Sequence, residues 1–221
     1  MSGADLRHVE SWLFDLDNTL YPLESGLSAL MEPRITDYVI KVTGLPRDEA
    51  RALQKRYLAE HGLTLRGLML HHGVEPDDYH AQFAEVSLEC LVRDEALSAA
   101  LARLPGRRMI FTNADVGHTR RVTERLGLTG LFEDVFHIGS AAFEPKPSLQ
   151  AFEKIVERHA LRPAATAFFE DSERNLQPAA ALGMTTVLVG AHALASTAPF
   201  VRHRAWRLAP FLAAARVREI S

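Results

Sequence analysis

The sequence predicts an α/β protein: a parallel sheet with helices on both faces, interrupted after its first strand by an inserted helical segment. Three observations carry that prediction. Short apolar runs rich in β-branched and aromatic residues recur through the second half of the chain, at Met109–Phe111, Val135–Ile138, Thr166–Phe169 and Thr186–Val189. Runs this short and this apolar suit strands buried on both faces. Helical periodicity fills the intervals, at 116–127, 147–160 and 173–182, and such strand–helix alternation builds parallel sheets. Between 22 and 92, by contrast, the pattern is helical throughout.

Taken in order, Ser11–Phe14 is the first strand. In the insert, Leu27, Leu30, Met31, Ile35, Tyr38, Val39 and Val42 follow a 3–4 spacing. So do Ala50, Leu53 and Tyr57, and then Tyr79, Phe83 and Val86. Breaks fall at Gly44-Leu45-Pro46, Gly62 and Gly73-Val74-Glu75-Pro76. The expected organisation is therefore a core of residues 1–21 and 93–221 with a helical cap at 22–92. Segment 94–104 returns the chain to the core. Pro147 suits a first helical position, and Gly127 and Gly183 suit helix ends.

Bulk properties bound the function. With 221 residues, 47% hydrophobic and 24% charged, the chain can bury a substantial core. A net charge of −3 gives no electrostatic case for a nucleic-acid polymer. The basic residues near the end (Arg202, Arg204, Arg207, Arg216, Arg218) read as a solvated helix face. The single Cys90 cannot pair internally and reads as a buried, inert thiol. No long apolar run precedes Trp12, so no secretory signal is expected. Residues 175–201 lack Asp, Glu, Lys and Arg. Gly183, Gly190, His192 and Pro199 make a helix end, a buried strand and a loop the better reading than a membrane span. The expectation is a cytoplasmic enzyme with no membrane partner; the sequence does not specify its oligomeric state.

In an open α/β sheet, ligands bind beyond the carboxyl ends of the strands. Four polar segments stand at or near such ends: Asp15-Leu16-Asp17-Asn18-Thr19, Thr112-Asn113, Glu144-Pro145-Lys146-Pro147 and Glu170-Asp171-Ser172. Each alone has a bland reading. Asp17-Asn18 makes a turn or N-cap, Thr112-Asn113 a strand-to-helix turn, Lys146 a surface lysine, and Glu170-Asp171 the acidic start of a helix. In this order, with three following strands and the lysine before a helix, they form one series.

That series resembles the haloacid dehalogenase superfamily of phosphohydrolases over residues 11–190, most specifically in Phe14-Asp15-Leu16-Asp17-Asn18-Thr19-Leu20. A closer likeness is to its pyrimidine 5′-nucleotidase branch. It rests on Asp17-Asn18-Thr19-Leu20-Tyr21, the stretch His61–Leu68, and Phe111-Thr112-Asn113-Ala114 followed by His118. The resemblance implies a Rossmann-like core with an α-helical cap, Mg²⁺ as cofactor, and a small-molecule phosphate monoester as substrate.

It further implies that Asp15 is the nucleophile and Asp17 the acid and base. Thr112 and the backbone amide of Asn113 would hold phosphoryl oxygens, and Lys146 would neutralise them. The metal would be ligated by the Asp15 and Asp171 carboxylates and the Asp17 carbonyl. Physical chemistry supports those roles. Two carboxylates about 4 Å apart repel by roughly 4 kcal/mol at an effective dielectric of 20, and a cation or a proton must relieve them. Mg²⁺ suits an all-oxygen site. The superfamily's dehalogenases lack the second acid, because halide departs without a proton, so Asp17 favours phosphate-ester chemistry.

Several positions stay open at this level. Glu170 stands where many relatives carry Asp, and sharing the metal end through a ligated water is one role for it. Asn175 is a candidate to orient Lys146. Arg66 either touches the substrate or lies on a helix surface. His118 donates near the phosphate or caps its helix. Tyr21 lines the cap hinge or packs. His71 and His72 diverge on a helix and read as a solvated pair. The rival functions are another small-metabolite phosphatase, acting on phosphoglycolate or a sugar phosphate, and a non-catalytic metal-binding interaction protein.

Overall fold

The computed structural model describes residues 3–219. Six strands form one parallel sheet: β1 (Ser11–Phe14), β2 (Arg107–Phe111), β3 (Asp134–Phe136), β4 (Thr166–Glu170), β5 (Thr185–Val189) and β6 (His203–Ala205). Their order is β3-β2-β1-β4-β5-β6, so β1 is central. Helices α1 (Leu27–Thr43), α2 (Arg47–His61), α3 (Thr64–His72) and α4 (Pro76–Ala81) lie between β1 and α5 (Glu95–Ala102). The remaining helices are α6 (Val116–Leu126), α7 (Leu149–His159), α8 (Glu173–Ala181) and α9 (Leu208–Ala214). The α/β core with an inserted helical segment is as the sequence predicts.

The continuous apolar runs follow from a sheet covered on both faces. β1, β4 and β5 are buried along their whole length. Alternation divides them: Trp12, Phe14, Ile110 and Phe169 pack in one core, Leu13, Met109, Phe111 and Phe168 in the other. Phe14 stacks on Phe169 at 4.7 Å between ring centroids, and the first core continues into the insert through Leu27, Tyr38 and Leu65. Phe169→Ala is expected to cost about 3–5 kcal/mol, read as a lowered urea midpoint with unchanged slope. A loss below about 1 kcal/mol would show that Phe169 does not pack in the first core in this way.

Register positions the site. Phe14 is level with Ile110 on one side and Phe169 on the other, so Asp15, Phe111 and Glu170 come level at the carboxyl edge. Asp171 and Thr112 follow one residue on.

Four expectations are corrected. α7 begins at Leu149, with Ser148 as N-cap, so Pro147 precedes the helix. The spacing of Tyr79, Phe83 and Val86 outlasts its helix: α4 ends at Ala81, and Phe83 and Val86 continue in turns closed by i−3 hydrogen bonds. Such turns keep nearly the same side-chain spacing. Their carbonyls are met by α6 instead, through Arg121 to Phe83 and Val86 and Arg125 to Leu88 and Leu91.

The basic residues near the end occupy no helix face. Arg204 lies in edge strand β6, Arg207 caps α9, and Arg216 and Arg218 follow that helix. Arg207, Arg216 and Arg218 instead pair with Glu24, Asp5 and Glu10. Cys90 is half-buried, since it packs at the margin of the core and not within it. Residues 175–201 form the rest of α8, then β5 and a short 3₁₀ turn at 191–195, and no helix among the described residues is long and apolar enough to cross a membrane.

Candidate active site

Lys146 is the pivot of the site. Its ammonium is buried and uses all three donors: Asp15 Oδ1 at 2.7 Å, Glu170 Oε2 at 2.7 Å and the Phe111 carbonyl at 2.8 Å. The rings of Phe111 and Phe168 lie 5.0 and 5.2 Å from it. A buried ammonium is tolerated only when paired and fully hydrogen-bonded. Burial depresses the Lys146 pKa, but the Asp15 and Glu170 charges outweigh this and hold it above the ordinary lysine value.

The loop carrying Lys146 is fixed by Asn113. Its side chain accepts the Lys146 N–H at 2.8 Å and donates to the Lys146 carbonyl at 3.1 Å. The orienting task expected of Asn175 therefore falls to Asn113. Asn175, in the first turn of α8, makes no side-chain hydrogen bond to Lys146. Thr112 follows β2 with its hydroxyl accepting the Ala114 N–H at 3.0 Å, which leaves the hydroxyl proton to donate.

The acids gather opposite. Asp15, Glu170 and Asp171 each offer a carboxylate oxygen, all within 4.8 Å of one another. Burial, then the charge of Glu170, pushes Asp15 up to about 8. Burial pushes Glu170 up to about 7, and burial with the charge of Asp15 pushes Asp171 up to about 6. A proton or a cation relieves such a cluster, and its hard oxygen donors could hold a divalent ion such as Mg²⁺. Glu170 is oriented by its bonds to Lys146 and to the Ser172 N–H. His192, which sequence reasoning passed over, contacts the Asp171 carbonyl at 2.7 Å and braces that loop.

Asp17 stands apart from this cluster. Tyr21 donates to its Oδ1 at 2.5 Å, and His118 Nε2 lies 3.0 Å from the same oxygen. Burial raises the Asp17 pKa, yet the bonds from His118 and Tyr21 more than cancel it and hold the group below the ordinary carboxylate value. The α6 N-cap is Asp115, whose side chain accepts the His118 N–H, so the His118 ring is left for Asp17. The sequence alone pairs neither Tyr21 nor His118 with Asp17. Their only signal was their place, one four residues after Asp17 and the other shortly after Thr112-Asn113.

Arg66 lies against the core: its guanidinium meets Glu144 at 3.3 Å, two residues before Lys146. Beside it, Arg174 donates to the Ala59 carbonyl at 2.7 Å near the end of α2. Gly62 follows with φ +76°, and a Cβ there would lie 2.9 Å from the Lys146 carbonyl. His71 and His72 do diverge, the first facing His61 at 3.2 Å and the second bonding the Tyr57 hydroxyl at 2.9 Å; exposed as they are, both have partners. A cavity of about 570 Å³ lined by Trp206 and Leu208 reaches the site at Asn18, Tyr21, Asp171 and His192.

Comparison with known proteins agrees with this fold. Residues 12–183 match the family model described as haloacid dehalogenase-like hydrolase. Phosphate metabolism protein 8 of Saccharomyces cerevisiae is 28% identical over 193 residues, covering 80% of this chain. The matched region spans 60% of that relative's length. Among solved structures, a HAD phosphatase from Thermococcus onnurineus superposes with a TM-score of 0.59 at 18% identity, covering 90% of this chain and 94% of the other. The L-2-haloacid dehalogenase of Xanthobacter autotrophicus does so with a TM-score of 0.59 at 19% identity, covering 93% and 97%. These structures share the fold. The chain belongs to the haloacid dehalogenase-like hydrolases.

Proposed function

We propose that this hydrolase is a magnesium-dependent phosphatase that cleaves a phosphate monoester through an aspartyl-phosphate on Asp15. One observation carries the reading: Asp15, held by Lys146, shares its loop with a second acid, Asp17, whose carboxyl lies outside the metal-type cluster. A carbon–halogen hydrolase has no use for that acid.

Asp15 attacks phosphorus as the bond to the leaving oxygen breaks, and Asp17 supplies the proton that oxygen needs. Water then attacks the acyl phosphate, Asp17 takes its proton, and Asp15 is regenerated. The pKa of Asp17, lowered by His118 and Tyr21, suits the second half; the negative charge of an incoming phosphate raises it for the first. Thr112 and the Asn113 amide hold phosphoryl oxygens, and Lys146 neutralises Asp15. Asp15, Asp171 and the Asp17 carbonyl would hold Mg²⁺, which when bound would supply charge neutralisation at the phosphoryl group. Residues 22–92 act as a cap that excludes water, docked through Arg66–Glu144 and Arg174.

Metal ligation requires deprotonated carboxylates. A carboxyl whose folded pKa is raised stabilises the fold only while protonated, so the metal-free protein loses that contribution as pH climbs toward about 8. The rise in Tm on adding Mg²⁺ is therefore expected to grow between about pH 5.5 and 8.5. Calorimetry at fixed Mg²⁺ checks it, and a rise that shrinks with pH would contradict the ligand set.

The substrate best supported is a pyrimidine nucleoside 5′-monophosphate, such as UMP or CMP, on the likeness of His61–Leu68 and of Asp17–Tyr21 to the nucleotidase branch. A panel of phosphorylated metabolites tests it. UMP and CMP are expected to give the highest kcat/KM. Turnover of phosphoglycolate or sugar phosphates with negligible activity on UMP and CMP overturns the substrate, and no phosphate release from any compound favours a metal-binding interaction protein.

A further inference from the structure

Two donors converge on one oxygen of Asp17. The Tyr21 hydroxyl and His118 Nε2 both meet Oδ1, at 2.5 and 3.0 Å. Against an acceptor-only carboxylate, that ring nitrogen must carry its proton. A carboxylate oxygen offers about two acceptor positions, so Oδ1 is filled. Oδ2 accepts no hydrogen bond among the described residues, and a third of the Asp17 side chain stays accessible, against 4% for His118.

The two donors come from separate parts of the fold. Tyr21 closes the loop after β1, four residues beyond Asp17, and is itself buried. His118 sits in the first turn of α6, its backbone anchored on Asp115. Buried tyrosine and histidine groups need partners wherever they lie. Packing alone does not require both to choose the same atom.

We propose that Tyr21 and His118 are positioning residues that lock the Asp17 carboxyl so that Oδ2 alone exchanges protons with the substrate. The assignment rests on the phosphatase reading above. The terminal torsion of an aspartate is broad and roughly two-fold, so an unheld carboxyl swaps its oxygens and drifts from the leaving group. Two donors on one oxygen stop that rotation. The proton on Oδ2 passes to the leaving oxygen as the P–O bond breaks, and the bond's electron pair stays on that oxygen. In the second half, water's proton returns to Oδ2 as its oxygen bonds phosphorus and the acyl-phosphate bond breaks.

The test compares two esters by kcat/KM, with Mg²⁺ saturating: p-nitrophenyl phosphate, whose phenolate leaves with little help, and the alkyl phosphate turned over fastest in the panel. Tyr21→Phe and His118→Leu are each expected to lower the alkyl ester about 10–100-fold, as misplacement of an acid does. The aryl ester is expected to fall less than about 5-fold. His118→Gln, whose amide N–H reaches the place of Nε2, is expected to recover the alkyl ester to within about 5-fold of wild type. In an Asp17→Asn background, neither substitution is expected to cost anything further.

Equal losses on both esters, or losses that persist in the Asp17→Asn background, overturn the assignment and leave Tyr21 and His118 as packing. Tyr21→Phe keeps the ring and so guards against a folding failure at His118. A wild type that releases phosphate from neither ester removes the phosphatase reading and this assignment together. An active wild type with unshifted ester ratios in the variants removes this assignment alone.

Discussion

Asp15→Asn is expected to cut Mg²⁺-dependent phosphate release by about 10⁴-fold or more while leaving the fold intact. The substitution removes the attacking oxygen and one metal ligand at once. It also removes a carboxyl that burial and Glu170 push up to about 8, so the metal-free protein loses no favourable charge near neutrality. Its Tm without metal is expected to match or exceed that of wild type, and its rise on adding Mg²⁺ to shrink. Release assays and calorimetry on one preparation separate these effects. Activity within about ten-fold of wild type would show that Asp15 is not the nucleophile.

Lys146→Met should damage both stability and activity. The ammonium joins Asp15, Glu170 and the Phe111 carbonyl in a buried site, and its loss leaves their charges facing one another. Breaking a buried pair from one side costs about 3–5 kcal/mol. For a chain of this size that lowers Tm by about 6–20 °C. The sign of the pH dependence follows from the raised carboxyls. At low pH Asp15 and Glu170 are protonated and tolerate the loss of their partner; by about pH 8 Glu170 in the wild type is mostly ionised and Asp15 partly so, and both depend on the ammonium. The Tm deficit is therefore expected to be larger at about pH 8 than at about pH 5, with phosphate release down about 10²–10³-fold. A deficit that narrows with rising pH would contradict the charge arrangement.

The interior strands were legible because a doubly covered sheet demands apolar residues on both faces, and Trp12-Leu13-Phe14 and Ala167-Phe168-Phe169 supply them. β6 was not: His203-Arg204-Ala205 is an edge strand with one wet side, and its residues look like loop. Phe83 and Val86 mimicked a helix because i−3 turns share nearly the same spacing.

In the site, Asp15, Thr112, Lys146 and Asp171 were legible as a series, since strand ends in a parallel sheet must converge. The pairings around them were not. Asn113 and Asn175 are equal in composition as supports for Lys146, and only the path of the 137–148 loop selects Asn113. Arg66 offered no sign that Glu144 would take its charge. That Tyr21 and His118 meet on one oxygen of Asp17 depends on a contact 101 residues apart in the chain, which no local pattern encodes.

The most direct measurement is a rapid acid quench of wild type and Asp17→Asn after mixing with substrate and Mg²⁺, followed by peptide mass analysis. With p-nitrophenyl phosphate, whose phenolate needs little acid to leave, wild type is expected to carry a transient phosphoryl group on the peptide containing Asp15, and Asp17→Asn, which lacks the base for the second step, to retain it longer. Phosphate released with no such adduct, or an adduct on another residue, would contradict covalent catalysis by Asp15.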